Sequence, residues 1–108
     1  MMKSLLTLLV ALLAAAEIHS GSDKLALKTV VLDAGHGGKD PGAVRHDGKY
    51  YEKTFTLDNA KRLKEKINAA YPDIKVILTR SDDRAVTLNQ RAEIANRASA
   101  DLFISIHI

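Results

Sequence analysis

Two histidines and one glutamate stand where the chain could bring metal ligands together. His36 lies among glycines after the apolar run 29–32, and His107 directly follows a second apolar run, 100–106. Glu52 lies at the far end of the polar loop that contains His36. Imidazole and carboxylate are zinc ligands, and two histidines with one glutamate leave a fourth position for water, as in hydrolytic sites. These residues predict a Zn²⁺ site, provided that the fold brings them together.

The same loop contains another histidine, His46, which competes with His36 as a ligand. Spacing alone does not separate the two. The glycines within 35–38 allow the backbone to bend sharply around the His36 ring. A single loop histidine is more often a surface residue than a ligand, so the metal interpretation depends on convergence with Glu52 and His107.

The pattern of apolar residues predicts strands that alternate with helices. Runs rich in β-branched residues are typical of buried strands, and apolar residues at three- and four-residue steps are typical of amphipathic helices. Thr87 and Gln90 have capping-box spacing at the start of the second helix. That helix is expected to turn Leu88, Ala92, Ala95 and Ala98 inward. The predicted elements are strands 29–32, 74–78 and 100–106, helix 54–70, and a helix that begins at Thr87.

This β-α-β-α-β order predicts an α/β fold, a three-layer α-β-α sandwich around a mostly parallel sheet. In such sheets, ligands bind outside the carboxyl ends of the strands. The His36 loop and His107 both follow the carboxyl end of a predicted strand. We therefore expect them on the same rim of the sheet, although they are far apart in the sequence.

The glycine-rich loop does not match the known phosphate-binding patterns. The dinucleotide fingerprint G-x-G-x-x-G needs a glycine at position 40, where Asp40 stands. The pattern G-x-x-x-x-G-K-[ST] fails because Asp40 also follows Lys39 and the first glycine is misplaced. Asp33 and Asp40 would repel an anion, so the loop favours a metal over a phosphate.

Residues 1–16 have the pattern of a secretory signal peptide. Lys3 supplies a positive charge, and the uncharged run 5–16 ends in small residues in an A-x-A arrangement. The run is about 12 residues long, whereas a transmembrane helix needs about 20. An uncleaved anchor or a buried helix is the alternative interpretation. Residues 17–28 are predicted to be a linker, and residues 29–108 the folded domain.

Composition excludes several other classes of protein. The chain contains no cysteine, which rules out disulfides and thiolate metal sites. Its formal net charge of +3 lies well below the dense basic surface of a nucleic-acid-binding protein. With no Trp, two Phe and three Tyr, a stacking platform for single strands is not expected either. Nucleic acid is therefore not an expected partner.

Several motifs in a fixed order carry a resemblance to a known family. They are LDAGHGG (32–38), DPGA (40–43), Glu52-Lys53, Thr79-Arg80 with Asp82, Leu88, Arg91, Ala95-Asn96, and ADLFISIH (100–107). In this order and spacing they resemble the zinc-dependent N-acetylmuramoyl-L-alanine amidases of bacterial cell walls. The resemblance runs from about Thr29 to the last residue, and it is specific because several motifs agree in both spacing and structural context.

The resemblance implies a ligand set and a reaction. Its zinc ligands would be His36, Glu52 and His107, which favours His36 over His46. The implied substrate is the amide between N-acetylmuramic acid and L-alanine in peptidoglycan. Zinc would polarise the amide carbonyl and lower the pKa of its bound water. Asp33 would either orient a ligand imidazole or simply end its strand and cap a turn.

The resemblance also implies a place of action. Peptidoglycan is the expected partner, and export leads to the periplasm or the extracellular cell wall, with no stable membrane insertion after signal cleavage. The motifs do not indicate whether an activator protein takes part.

The chain departs from the family pattern at the general base. The family has a glutamate near the end of its catalytic domain, and no acid here matches that motif. Glu65, Glu93 and Asp101 fall on predicted helices or at a strand start, as surface residues do. The expectation is a general base downstream of Ile108, so that residues 29–108 form the N-terminal part of a truncated catalytic domain with poor activity of its own.

Two other functions are compatible with the sequence. One is a non-catalytic wall-binding or regulatory module on a degenerate amidase fold, and the other is a metal-independent α/β domain whose glycines serve only the turn. Arg80 and Arg91 could contact anionic wall peptides, but a structural ion pair with Asp82 or Asp83 is the favoured prediction.

Overall fold

The computed structural model describes residues 26–108, so the predicted signal peptide 1–16 and most of the predicted linker 17–28 lie outside the described residues. Within residues 26–108, none of the helices combines the length and apolar character that a membrane span requires. The predicted element order is confirmed. The elements are β1 (Thr29–Ala34), α1 (Glu52–Ala70), β2 (Lys75–Leu78), α2 (Leu88–Arg97) and β3 (Leu102–Ile106).

The three strands form one parallel sheet in the order β2-β1-β3. In the centre, Val31 of β1 pairs with Ile77 of β2 and Phe103 of β3. A central strand is covered on both faces, which explains why β1 is a continuous apolar run rather than an alternating one. The α/β fold with a parallel sheet, predicted from the sequence, is confirmed.

The two helices cover opposite faces of the sheet. Val30 and Leu32 are buried and pack with Leu63 and Ile67 of α1. Asp33 points to the other face, since side chains alternate along a strand, and there it pairs with Arg91 of α2. This arrangement forms the three layers around the carboxyl end of β1.

Helix α1 begins at Glu52, two residues before the predicted start at Thr54. The residue before it, Tyr51, makes no side-chain capping bond, so the usual sequence signal of a helix start is missing. A carboxylate in the first turn is nonetheless stabilised by the positive end of the helix dipole. Glu52 therefore sits on a helix rather than on the flexible loop before it.

Helix α2 has the predicted capping box between Thr87 and Gln90, but its inward face differs from the prediction. Leu88 is 83% exposed, and the buried residue of the helix is Arg91. The guanidinium of Arg91 turns inward because it reaches the carboxylate of Asp33 and the carbonyl of Ala34 at the end of β1. These hydrogen bonds stabilise the helix orientation more than burial of the small alanine side chains would.

Candidate metal centre

The carboxyl edge of the sheet brings three predicted site residues together. The loop after β1 carries His36, the first residue of α1 is Glu52, and His107 follows β3 directly. One potential ligand atom from each of the three residues lies within 4.8 Å of the others. The fold therefore brings the three side chains close together, as the topology predicted. That they bind a metal stays a prediction.

The facing atoms form a nearly equilateral triangle. His36 Nε2 lies 3.1 Å from Glu52 Oε2, and His107 Nδ1 lies 3.2 Å from the same oxygen. The two nitrogens are 3.1 Å apart. Ligand atoms at about 2.0–2.1 Å from a tetrahedral zinc ion are separated by about 3.3–3.4 Å. The spacing and the donor types thus fit a zinc ion with one coordination position left open.

Asp40 orients the ring of His36. Its Oδ2 lies 2.8 Å from His36 Nδ1, and its Oδ1 accepts a bond from the Gly42 N–H. The bond with His36, followed by that from Gly42, lowers the pKa of Asp40 below its ordinary value. An ionised carboxylate can only accept, so Nδ1 carries the proton and the lone pair of Nε2 faces the triangle.

Asp33 makes no contact with a ligand imidazole, which was one of the two roles that the sequence left open for it. Asp33 lies inside β1 and bonds to Thr79, Arg91 and Ser105 instead. The sequence signal for Asp40 is its position four residues after His36 in a Pro-Gly turn, where a short acid can bend back onto the loop.

Removing the Asp40 carboxylate is expected to weaken zinc binding without unfolding the chain. Asp40→Ala leaves the His36 ring free to rotate and to change tautomer, and loss of such an outer partner typically costs 10- to 100-fold in metal affinity. A zinc titration against a competing chelator measures this. Asp47→Ala is the matched control, because Asp47 bonds to Arg45 and Lys49 and contacts none of the three ligand candidates; equal affinity of the two variants would contradict the role of Asp40.

Backbone amides hold the carboxylate of Glu52. The Ala43 N–H donates to Oε1 at 3.0 Å, and the Ile108 N–H donates to Oε2 at 3.1 Å. These two bonds, more than the neighbouring histidines, lower the pKa of Glu52 to about 2. Glu52 is therefore an ionised ligand candidate at any physiological pH, presented by the rigid first turn of α1.

Gly35 makes room for His107. A Cβ at position 35 would lie 2.6 Å from His107 Nδ1, which is closer than real Cβ contacts allow. The two imidazole rings meet edge to face, with centroids 4.8 Å apart. The side chain of His107 is 53% exposed, so the triangle is open on its side. Gly35 thus serves the site by lacking a side chain.

Gly35→Ala is expected to displace His107 while leaving the fold intact. The exposed ring can swing outward to relieve the overlap, which removes one corner of the triangle. We expect zinc affinity to fall by at least about tenfold, comparable to other outer-sphere changes, with little change in the urea midpoint. Gly48→Ala is a comparison for zinc affinity only, because a Cβ there meets nothing within 4 Å but the φ of +70° strains the backbone. A G35A chain with wild-type affinity would show that His107 does not need this space.

His46 lies outside the triangle. It is exposed, in the turn between Val44 and Tyr51, whose backbones form an isolated antiparallel bridge. The residues alone left His36 and His46 as competitors, and the structure places only His36 near Glu52 and His107.

The two arginines do not form the ion pairs that the sequence predicts. Arg91 pairs with Asp33 at 2.6 Å rather than with Asp82 or Asp83. Arg80 donates to the backbone carbonyl of Asp82 and to other neutral oxygens. The two acids are instead taken by other cations, Asp82 by Arg84 and Asp83 by Lys53. Both arginines are buried, although Arg91 also borders the cleft beside the triangle.

A cleft of about 320 Å³ adjoins the triangle on the α2 side. Its walls include His36, His107, Asp40, Thr87 and Leu88.

Comparison with known proteins identifies the family. The family described as N-acetylmuramoyl-L-alanine amidase (Amidase_3) matches residues 30–108, a range that includes all three triangle residues. The chain belongs to this amidase family. The resemblance read from the sequence motifs is thereby confirmed.

Relatives within the amidase family are longer than this chain. A probable N-acetylmuramoyl-L-alanine amidase, AmiB, of Haemophilus influenzae is 43% identical over 73% of this chain but over only 18% of its own length. The sporulation-specific N-acetylmuramoyl-L-alanine amidase of Bacillus subtilis is 40% identical over 73% of this chain and 30% of its own. The chain thus spans less than a third of these curated relatives.

Solved amidase structures share the fold. The catalytic domain of CwlV from Bacillus (Paenibacillus) polymyxa superimposes with a TM-score of 0.69 at 49% identity, covering 75% of this chain and 45% of that one. The CwlD amidase from Clostridioides difficile, solved in complex with the GerS lipoprotein, gives a TM-score of 0.64 at 38% identity, covering 75% and 48%. The chain therefore corresponds to a little under half of these solved amidase chains.

Proposed function

We propose that this chain supplies the zinc-binding part of an amidase that hydrolyses the bond between N-acetylmuramic acid and L-alanine in peptidoglycan. The observation that carries the proposal is the triangle of His36 Nε2, Glu52 Oε2 and His107 Nδ1, with edges of 3.1–3.2 Å. Membership of the amidase family supports the choice of reaction.

The residues of the chain have separate tasks in this proposal. His36, Glu52 and His107 would hold zinc, which when bound polarises the amide carbonyl and acidifies a water molecule. Asp40 keeps the His36 tautomer, and the backbone amides of Ala43 and Ile108 keep Glu52 ionised and in place. The cleft beside His107 would admit the stem peptide or the muramoyl group.

The proton-transfer group is not part of the triangle within residues 26–108. Glu52 is its sole carboxylate, and its two oxygens are already engaged by backbone amides. The general-base glutamate implied by the family therefore has no counterpart in the triangle. We propose on this basis that the chain alone is a slow amidase.

The proposed function includes export. The signal-peptide pattern of residues 1–16 supports delivery to the periplasm or the extracellular cell wall, where peptidoglycan is the partner. Amino-terminal sequencing of the exported protein tests this, since cleavage after Ala16 is the predicted result and an intact Met1 in the exported fraction would contradict it. The CwlD amidase was solved in complex with a lipoprotein, so a lipoprotein is a second candidate partner.

The reaction is tested by incubating the zinc-loaded chain with purified peptidoglycan and measuring newly released L-alanine amino termini. We expect slow release that a chelator abolishes and that His36→Ala eliminates. His46→Ala is the matched control and should release the same amount as the wild type. A zinc-loaded wild type that releases no more than His36→Ala, yet sediments with peptidoglycan, would instead favour the non-catalytic wall-binding module.

A further inference from the structure

Arg80 is buried at the junction between two segments of the candidate metal centre. Only 2% of the residue is exposed. Its Nη2 donates to the Gly35 carbonyl at 3.1 Å and to the Lys53 carbonyl at 2.8 Å. Its Nε donates to the Ala34 carbonyl at 3.1 Å. A single side chain from the end of β2 thus contacts the backbone next to two proposed zinc ligands.

The Gly35 and Lys53 carbonyls each belong to a residue adjacent in the sequence to a proposed zinc ligand. Gly35 immediately precedes His36, and Lys53 immediately follows Glu52. The loop after β1 and the first turn of α1 are separate segments, and Arg80 Nη2 alone donates to a carbonyl of each. Nε and Nη1 donate to the carbonyls of Ala34 and Asp82. These bonds fix the plane of the guanidinium and hence the position of Nη2, whereas an ammonium is a single donor atom on a flexible stem.

Thr56, on α1, also contacts the Gly35 carbonyl. Its hydroxyl is fully buried and lies 2.7 Å from the Gly35 carbonyl, to which it can donate. Arg80 Nη2 also lies 3.1 Å from Thr56 Oγ1. The Gly35 carbonyl is therefore held by donors from the segment after β2 and from α1, which leaves little freedom to the residue that follows it.

The burial of a guanidinium without a carboxylate partner needs a reason. In the described part of the chain, the hydrogen-bond acceptors of Arg80 are four backbone carbonyls and one hydroxyl, all neutral. A buried charge is costly unless it is fully hydrogen-bonded. An apolar side chain could fill the same space without that cost, but it could not join the two segments.

We propose that Arg80 is a positioning residue of the metal centre, fixing the distance between the His36 loop and the Glu52 helix turn through its bonds to the Gly35 and Lys53 carbonyls. This inference rests on the zinc site proposed above. Arg91 also contacts the loop after β1, through the Ala34 and His36 carbonyls, but it does not bond to the first turn of α1 and so does not join the two segments.

The test compares zinc affinity with stability in two variants of Arg80. Arg80→Met removes all of the bridging donors. Arg80→Lys keeps the charge but loses the Nε and Nη1 bonds that hold the bridging nitrogen in place. Zinc affinity is measured by competition with a chelator, and the Co²⁺-substituted chain reports ligand geometry through its visible absorption. The matched control is Val76→Ala, a core change in β2 that contacts no site residue and lowers stability by creating a cavity.

We expect Arg80→Lys to lose on the order of tenfold in zinc affinity and to show an altered Co²⁺ spectrum, while Val76→Ala binds zinc like the wild type despite its lower urea midpoint. If Arg80→Met does not fold, Arg80→Lys carries the test. Wild-type affinity and spectrum in folded Arg80→Lys would overturn the inference alone. A wild-type chain that binds no zinc would overturn the proposed metal centre and the inference with it.

Discussion

Replacing His36 with alanine is expected to weaken zinc binding by more than about 100-fold, the upper end of the loss caused by removing an outer partner. The ring provides one corner of the triangle, and Asp40 has no other imidazole to orient. The two remaining candidates, Glu52 and His107, would leave a site with two protein ligands, below the three that catalytic zinc sites use. Competition titration with a chelator measures the loss.

The matched control for His36 lies ten positions later in the same loop. His46 has the same chemistry and is exposed, but it lies outside the triangle. We therefore expect His46→Ala to bind zinc like the wild type. A reversed result, in which His46→Ala loses zinc and His36→Ala keeps it, would show that the ligand set is wrongly assigned.

Replacing Asp33 with asparagine is expected to lower the free energy of unfolding by about 3 kcal/mol at neutral pH, the lower end of the range for breaking a buried ion pair. The carboxylate receives bonds from Thr79, Arg91 and Ser105 at 2.6–2.7 Å. It thereby ties β1 to the end of β2, to α2 and to β3. Asparagine would leave the buried guanidinium of Arg91 without its counter-charge.

The Asp33 effect has a defined pH dependence. Burial raises the pKa of Asp33, but the bonds from Thr79, Arg91 and Ser105 together outweigh burial and place the pKa below its ordinary value of 3.8. The folded state thus favours the ionised form, so the stabilisation is complete above the unfolded-state pKa and is lost as the pH falls through the folded-state pKa. The difference between wild type and Asp33→Asn should therefore shrink below about pH 4.

Urea unfolding of wild type and Asp33→Asn at neutral and acidic pH measures this difference. Asp58→Asn is the matched control, because Asp58 pairs with Arg62 on the exposed face of α1 and such pairs contribute only about 0.3–0.5 kcal/mol. If Asp33→Asn cost no more than Asp58→Asn, or if its cost were the same at pH 3 and pH 7, the ion pair would not stabilise the junction.

The parts of the fold predicted from the sequence are those with strong local signals. Strand β1 is a continuous apolar run, and the parallel topology follows from alternation of strands with helices. That topology alone placed the His36 loop and His107 on one rim, since both follow strand ends. The capping box of α2 was also predictable, because Thr87 and Gln90 are local partners.

The parts that the sequence did not predict depend on contacts between distant residues. Nothing in the local pattern around Arg80 indicates that it reaches Lys53, which lies on another element. Alanine-rich periodicity is too weak to orient a helix, so Leu88 was expected inward although the contacts of Arg91 turn it outward. The role of Asp40 was not predicted because its spacing of four residues from His36 brings the two side chains together only in this conformation of the loop.

The central claim is that His36, Glu52 and His107 together hold one zinc ion. Anomalous diffraction at the zinc edge, from crystals of the zinc-loaded chain, tests it most directly. The account predicts one anomalous peak per chain, within about 2.0–2.2 Å of His36 Nε2, Glu52 Oε2 and His107 Nδ1. A peak at His46 or at other residues, or no ordered peak in a crystal grown with stoichiometric zinc, would contradict it.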